Sequence, residues 1–194
     1  YKEDILEVIP NGFNFIIKKD YSNKRLANRK SLGIKESEIL IGSVGRFDDL
    51  KDINNFIKAA AILIKKTNKR LRFIIIGRDI NNLNLKLMSW LKSSDMQDKI
   101  ILADEQNDLE KFNCSMDIFC LHSLSEGFPN VLAEAMSFKL PCVSTNVGDA
   151  ALILEDKKYI VDIKNSESLA KSLLIMTELS IDERKKIGFA NALK

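Results

Sequence analysis

Apolar positions along the chain alternate between two rhythms. Ile39 to Val44 is an apolar run of strand length. Ile53, Phe56, Ile57, Ala60 and Ile64 then recur at helical spacing, one apolar face between about Lys51 and Lys66. Leu71 to Gly77 is a continuous apolar run, as expected of a strand covered on both faces. A helix is predicted from about Asn82 to Ser93, with Leu83, Leu87, Trp90 and Leu91 inward. Further strands are predicted at 100–102, 117–121, 141–145 and 159–161. Helices are predicted at 109–114, 130–138, 166–178 and 182–190. Strand and helix alternating this regularly predict βαβ units around a parallel sheet. The expected fold class is α/β, a Rossmann-like doubly wound sheet of about six strands with helices on both faces. In such sheets ligands bind beyond the C-terminal strand ends, where the strand order reverses. The loops after Val44, Ile76, Leu102, Leu121 and Thr145 are therefore the ones to inspect.

Composition narrows the function classes. With 194 residues, 45% of them hydrophobic and 29% charged, the chain has enough apolar content for one good-sized core. A net charge of +3 gives no footprint for nucleic acid. No run approaches the roughly 18 to 20 apolar residues that span a bilayer. Cys114, Cys120 and Cys142 lack C-x-x-C spacing, and two of them lie in apolar segments. All three are expected to be reduced thiols of a cytoplasmic protein.

Two loops carry unusual chemistry. After the first strand comes Gly45-Arg46-Phe47-Asp48-Asp49-Leu50-Lys51, leading into a helix. Gly45 lets backbone approach a ligand closely, and Arg46 and Lys51 stand near a helix N-terminus, where a bound anion is favoured. On the other reading, Asp48, Asp49 and Asp52 simply neutralise these cations at the surface. Neither a Walker loop nor a G-x-G-x-x-G fingerprint is present, which disfavours a Rossmann oxidoreductase. After the fourth strand comes Ser123-Leu124-Ser125-Glu126-Gly127-Phe128-Pro129-Asn130-Val131-Leu132-Ala133-Glu134. Glu126 falls before a helix and Glu134 inside it, with free N–H groups expected from Phe128 to Leu132. Two separated acids flanking backbone donors suit a ligand with hydroxyls at both ends and phosphate between. The alternative is a capping acid, Glu126, and an ordinary surface residue, Glu134.

Here the sequence resembles the C-terminal domain of the GT-B retaining glycosyltransferases called group 1, or family 4. Glu126-Gly-Phe-Pro-Asn-Val-Leu-Ala-Glu134 is similar to the family's E-x7-E signature, and Gly45-Arg46 with Lys51 to its diphosphate-binding pair. Val8-Ile9-Pro10-Asn11-Gly12 resembles the segment joining the two domains, and Pro141 to Gly148 the strand and loop after the motif helix. The resemblance implies that residues 1–194 form a nucleotide-sugar-binding domain, with 1–14 arriving from an acceptor domain outside this chain and 180–194 a terminal helix. It implies a UDP- or GDP-sugar as donor, and no metal or other cofactor. Arg46 and Lys51 would hold the diphosphate, Glu134 the ribose hydroxyls and Glu126 the transferred sugar. Main-chain groups of Gly127, Phe128, Pro129, Asn130 and Val131 would contact sugar and phosphate.

Lys139, Asp149 and Asp52 each stand where the family pattern favours glycine. His122, the sole histidine, stands at a strand end as a candidate general base. The resemblance assigns acid–base and acceptor roles mainly to the other domain, which leaves His122 uninvolved. Arg184-Lys185-Lys186 reads as a solvated helix face, with contact to anionic lipid headgroups at the inner face of the membrane as the alternative. A non-catalytic nucleotide-sugar-binding module is the competing function.

Overall fold

The computed structural model describes residues 20–194. Six strands form one sheet: β1 (Ile39–Val44), β2 (Leu71–Ile76), β3 (Ile100–Ala103), β4 (Ile118–Leu121), β5 (Cys142–Thr145) and β6 (Ile160–Val161). Their order is β3-β2-β1-β4-β5-β6, and every neighbouring pair is parallel. The doubly wound sheet expected from the sequence is therefore what forms. Its order reverses between β1 and β4, which opens a crevice at their C-terminal ends.

Side-chain alternation along the strands divides the core into two layers. Ile39, Ile41, Phe73, Ile75, Ile118 and Cys120 face the layer containing α2 (Ile53–Lys66), α3 (Leu85–Ser93) and α7 (Ser166–Glu178). Leu40, Ile74, Ile76, Phe119, Leu121 and Cys142 face the layer containing α4 (Leu109–Asn113), α5 (Asn130–Ser137) and α6 (Ala150–Leu154). Cys120 and Cys142 thus point to opposite faces of adjacent strands. All three cysteines are free and buried, and burial pushes the Cys120 and Cys142 thiols well above their usual range.

Several elements depart from the sequence expectations, the short helix α6 among them. First, Leu83 is not inward but 88% exposed, because the helix begins at Leu85. The Asn81 side chain accepts from the Leu83 N–H and the Asn84 side chain from the Leu87 N–H, holding the loop outside the helix. Ile80 is fully buried in the same layer.

Second, an unexpected helix, α1 (Ser22–Ser31), precedes β1. Its sequence, SNKRLANRKS, has almost no apolar stripe. It is held by charge: Asp117 accepts from Arg25 Nη2 at 2.6 Å, Arg29 Nη1 at 2.9 Å and the Leu40 N–H at 2.8 Å.

Third, α8 (Ile181–Asn191) opens with a capping box between Ser180 and Glu183, but Arg184 does not join a solvated face. It is buried and donates to the Leu179 carbonyl at 2.6 Å. Among the described residues a cavity of about 1170 Å³ lies between α1 and α8, lined by Arg25, Phe138, Leu179 and Phe189 among others.

Candidate functional site

The loops after β1 and β4 meet at the switch in strand order. Beyond β1, Asp48 accepts from the Leu50 N–H and opens a short 3-10 helix, Asp49–Lys51. Asp52 follows at φ +46° and starts α2. This tight reversal turns the Lys51 side chain back across Gly45, where a Cβ would lie only 3.4 Å from Lys51 Cδ. Lys51 Nζ reaches Glu126 Oε1 on the β4 loop at 2.5 Å, with side chains 22% and 14% exposed. Ser123 Oγ donates to the same carboxylate oxygen at 2.7 Å.

Three contacts hold the loops in this register. The Leu124 N–H donates to the Leu50 carbonyl at 2.7 Å. The Thr145 hydroxyl donates to the Ser123 carbonyl at 2.8 Å. His122 sits between Ser43 Oγ at 2.7 Å and the Lys51 carbonyl at 2.5 Å, its ring stacked on Phe56. Because a carbonyl only accepts, Nδ1 carries the proton and Nε2 accepts from the Ser43 hydroxyl. Burial lowers the His122 pKa to about 4, so the imidazole is neutral near pH 7. A buried ring with both nitrogens engaged is not a general base open to the cleft, in line with the expectation that His122 takes no part in acid–base chemistry.

Neighbouring backbone is packed too closely to admit side chains at two points. Gly77, at the end of β2, would bring a Cβ within 2.2 Å of the Gly45 carbonyl oxygen. Gly148, after β5, would bring one within 1.8 Å of the Gly127 carbonyl oxygen. Asp149 donates its N–H to that same Gly127 carbonyl at 3.1 Å and precedes α6. Asp149 therefore supports the motif loop through its backbone.

The other expected site residues fall as follows. Arg46 is more than half exposed and pairs with Asp48 Oδ2 at 3.2 Å, the neutralising contact that the alternative reading anticipated. Asp48, in turn, is held below the usual carboxylate range by the Leu50 N–H and then by Arg46. Glu134, in α5, is half-buried, and its carboxylate has no hydrogen bond or ion pair among the described residues. Burial accordingly raises its pKa.

Pro129 occupies the N-cap of α5. The expected run of free N–H groups is shorter than predicted. Asn130 turns its N–H to the Phe128 carbonyl at 3.0 Å and Leu132 to that of Pro129 at 2.9 Å. Local turn geometry satisfies these donors before any ligand arrives. The Val8 to Gly12 segment lies outside the described residues.

Comparison with known proteins bears on this arrangement. A family model described as "Glycosyl transferases group 1" matches residues 24–192. The chain belongs to the group 1 glycosyltransferases.

Among its relatives is the Escherichia coli UDP-Gal:alpha-D-GlcNAc-diphosphoundecaprenol alpha-1,3-galactosyltransferase, 25% identical over 89% of this chain and 45% of that protein. Another is the Campylobacter jejuni N-acetylgalactosamine-N,N'-diacetylbacillosaminyl-diphospho-undecaprenol 4-alpha-N-acetylgalactosaminyltransferase, 29% identical over 85% and 43% respectively. The chain thus spans less than half the length of these curated relatives. Anabaena HepE, solved with UDP and glucose, superposes with a TM-score of 0.85 at 20% identity, covering 98% of this chain and 52% of that one. WaaG, a glycosyltransferase of lipopolysaccharide biosynthesis, superposes with a TM-score of 0.76 at 22% identity, covering 88% and 45%. These superpositions establish a shared fold.

Sequence reasoning singled out Lys51 and Glu126 but missed their pairing and what holds them. Ser43, Ser123, Thr145 and Gly77 carry no motif of their own, and their roles arise from contacts across strands. A glycine closing an apolar strand run, as Gly77 does, was the one available signal.

Proposed function

We propose that this group 1 glycosyltransferase chain is the donor-binding part of a retaining enzyme. The enzyme would move a sugar from a nucleoside-diphosphate sugar to an acceptor in polysaccharide or glycolipid synthesis. The observation that carries the reading is the Lys51–Glu126 pair at the strand-order switch, joining the two loops that bear a cation and an acid. An arriving diphosphate competes with Glu126 for Lys51 and with Asp48 for Arg46. The freed Glu126 then accepts hydrogen bonds from the sugar hydroxyls. Glu134, half-buried and without a polar partner among the described residues, takes the ribose hydroxyls, and the Gly127 to Val131 backbone lines the sugar and phosphate. UDP-sugars are the first choice of donor, since HepE was solved with UDP-glucose and the E. coli relative is named for UDP-Gal. A lipid-linked acceptor accords with the diphosphoundecaprenol substrates for which two relatives are named.

In the reaction, the bond from the anomeric carbon to the β-phosphate oxygen breaks and its electron pair stays with the phosphate. An acceptor hydroxyl forms the new bond at the same carbon and loses its proton. Negative charge grows on the leaving phosphate, so fixed cations there stabilise the transition state more than the ground state. Acceptor binding and proton removal would fall mainly to the acceptor domain that the family resemblance implies.

Titration calorimetry with UDP, GDP and ADP tests the site. Arg46→Ala, Lys51→Ala and Glu134→Ala should each weaken diphosphate binding about tenfold or more, the value of a charge-assisted hydrogen bond. Unchanged affinity in all three variants would remove the assignment.

A further inference from the structure

The Lys51–Glu126 pair spans two loops, and one buried side chain bridges their backbones. His122 leaves β4 four residues before Glu126 and reaches across to the Lys51 carbonyl, while its far nitrogen takes the Ser43 hydroxyl on β1. The ring is 3% exposed and lies 4.9 Å from the fully buried Phe56 ring on α2. One imidazole therefore ties together the end of β1, the 3-10 turn carrying Lys51, the start of α2 and the base of the loop carrying Glu126. Asp52, directly after Lys51, holds a left-handed φ of +46°. A non-glycine residue there leaves the turn open to relaxation unless the Lys51 carbonyl is held.

We infer that His122 is a positioning residue for the diphosphate site. By fixing the Lys51 carbonyl, its Nδ1–H keeps the Lys51 ammonium in register with Glu126 for an incoming phosphate. This inference rests on the donor-site reading above. His122 itself touches no substrate and transfers no proton; it acts through Lys51. The contact needs a donor at the Nδ1 position. Asn at 122 puts its amide N–H₂ close to that place, whereas Gln extends its amide toward the Nε2 position and leaves the carbonyl unpaired.

The test is UDP binding to the 194-residue chain by titration calorimetry, with thermal melting recorded for each variant. His122→Gln should weaken UDP binding about tenfold, and His122→Asn should stay within about threefold of wild type. In a Lys51→Ala background, His122→Gln should add less than about twofold, because the side chain it positions is gone. A purely structural histidine would lower melting temperature in both variants without ordering their affinities this way. Wild-type UDP affinity in His122→Gln, with Lys51→Ala still impaired, overturns the inference and leaves the donor site standing. Loss of UDP binding in a well-folded His122→Asn overturns it too, even should the Gln variant fail to fold. If Lys51→Ala binds UDP as wild type does, Lys51 drops out of the donor site and this inference falls with it.

Discussion

Gly148 gives the sharpest check on how the motif loop is supported. Its φ is +47°, a region where an L side chain costs about 1 kcal/mol. A Cβ there would sit 1.8 Å from the Gly127 carbonyl oxygen and 2.5 Å from that of Glu126. Both neighbours are backbone, so no rotamer change relieves the overlap. The motif loop must retreat by about 1 Å, at a cost of about 1–3 kcal/mol, typical of overpacking. Retreat also strains the 3.1 Å bond from the Asp149 N–H to the Gly127 carbonyl, a further loss of about 1 kcal/mol. Gly148→Ala should therefore destabilise by about 3–5 kcal/mol, which for a chain of this size lowers the melting temperature by about 6–20 °C. Because the displaced carbonyls belong to Glu126 and Gly127, UDP affinity should fall as well. Gly127→Ala is the internal control. That glycine has no heavy atom within 4 Å of its would-be Cβ, so the substitution should change stability by no more than about 0.5 kcal/mol. Urea and thermal unfolding followed by circular dichroism measure both. Equal midpoints for the two variants would refute the account of Gly148 as the strut beneath the motif loop.

Two further predictions concern the histidine and the turn. His122 has a folded-state pKa of about 4 against an ordinary 6.5, set first by burial, with Lys51, Glu126 and Asp52 as the charged or polar neighbours. Between these values the unfolded chain binds the extra proton, so stability is complete above pH 6.5 and falls as pH drops toward 4. At pH 5 the loss attributable to this group is about 2 kcal/mol. Urea titrations at pH 7 and pH 5 should show that much more acid weakening in wild type than in His122→Asn; parallel losses would count against a neutral buried imidazole. Asp52 combines a left-handed φ with a buried Oδ2 that has no hydrogen-bond partner among the described residues, and burial raises its pKa. Asp52→Gly should therefore stabilise by about 1 kcal/mol, seen as a higher urea midpoint, and a lowered midpoint would contradict the strain argument.

The sheet was legible in the sequence because strands covered on both faces read as unbroken apolar runs, as at Leu71 to Ile76. Amphipathic helices such as α2 were legible from one apolar face. Where stabilisation came from charge instead, the pattern said nothing. α1 has no apolar stripe and exists through the contacts of Arg25 and Arg29 with Asp117, roughly ninety residues away. Leu83 was misplaced because apolar spacing carries no information about asparagine side chains that end a helix early.

For the site, local sequence determined which residues are unusual: two basic residues after β1 and two acids around the start of α5. It also fixed the βαβ order that puts both loops at C-terminal strand ends. Only the tertiary structure decided the pairing. Lys51 meets Glu126 because β1 and β4 are neighbours in the sheet, although 75 positions separate the two residues. The same adjacency buries His122, since Ser43, Lys51 and Phe56 surround it. Side-chain chemistry is written locally, whereas burial and partnership depend on which strands lie side by side.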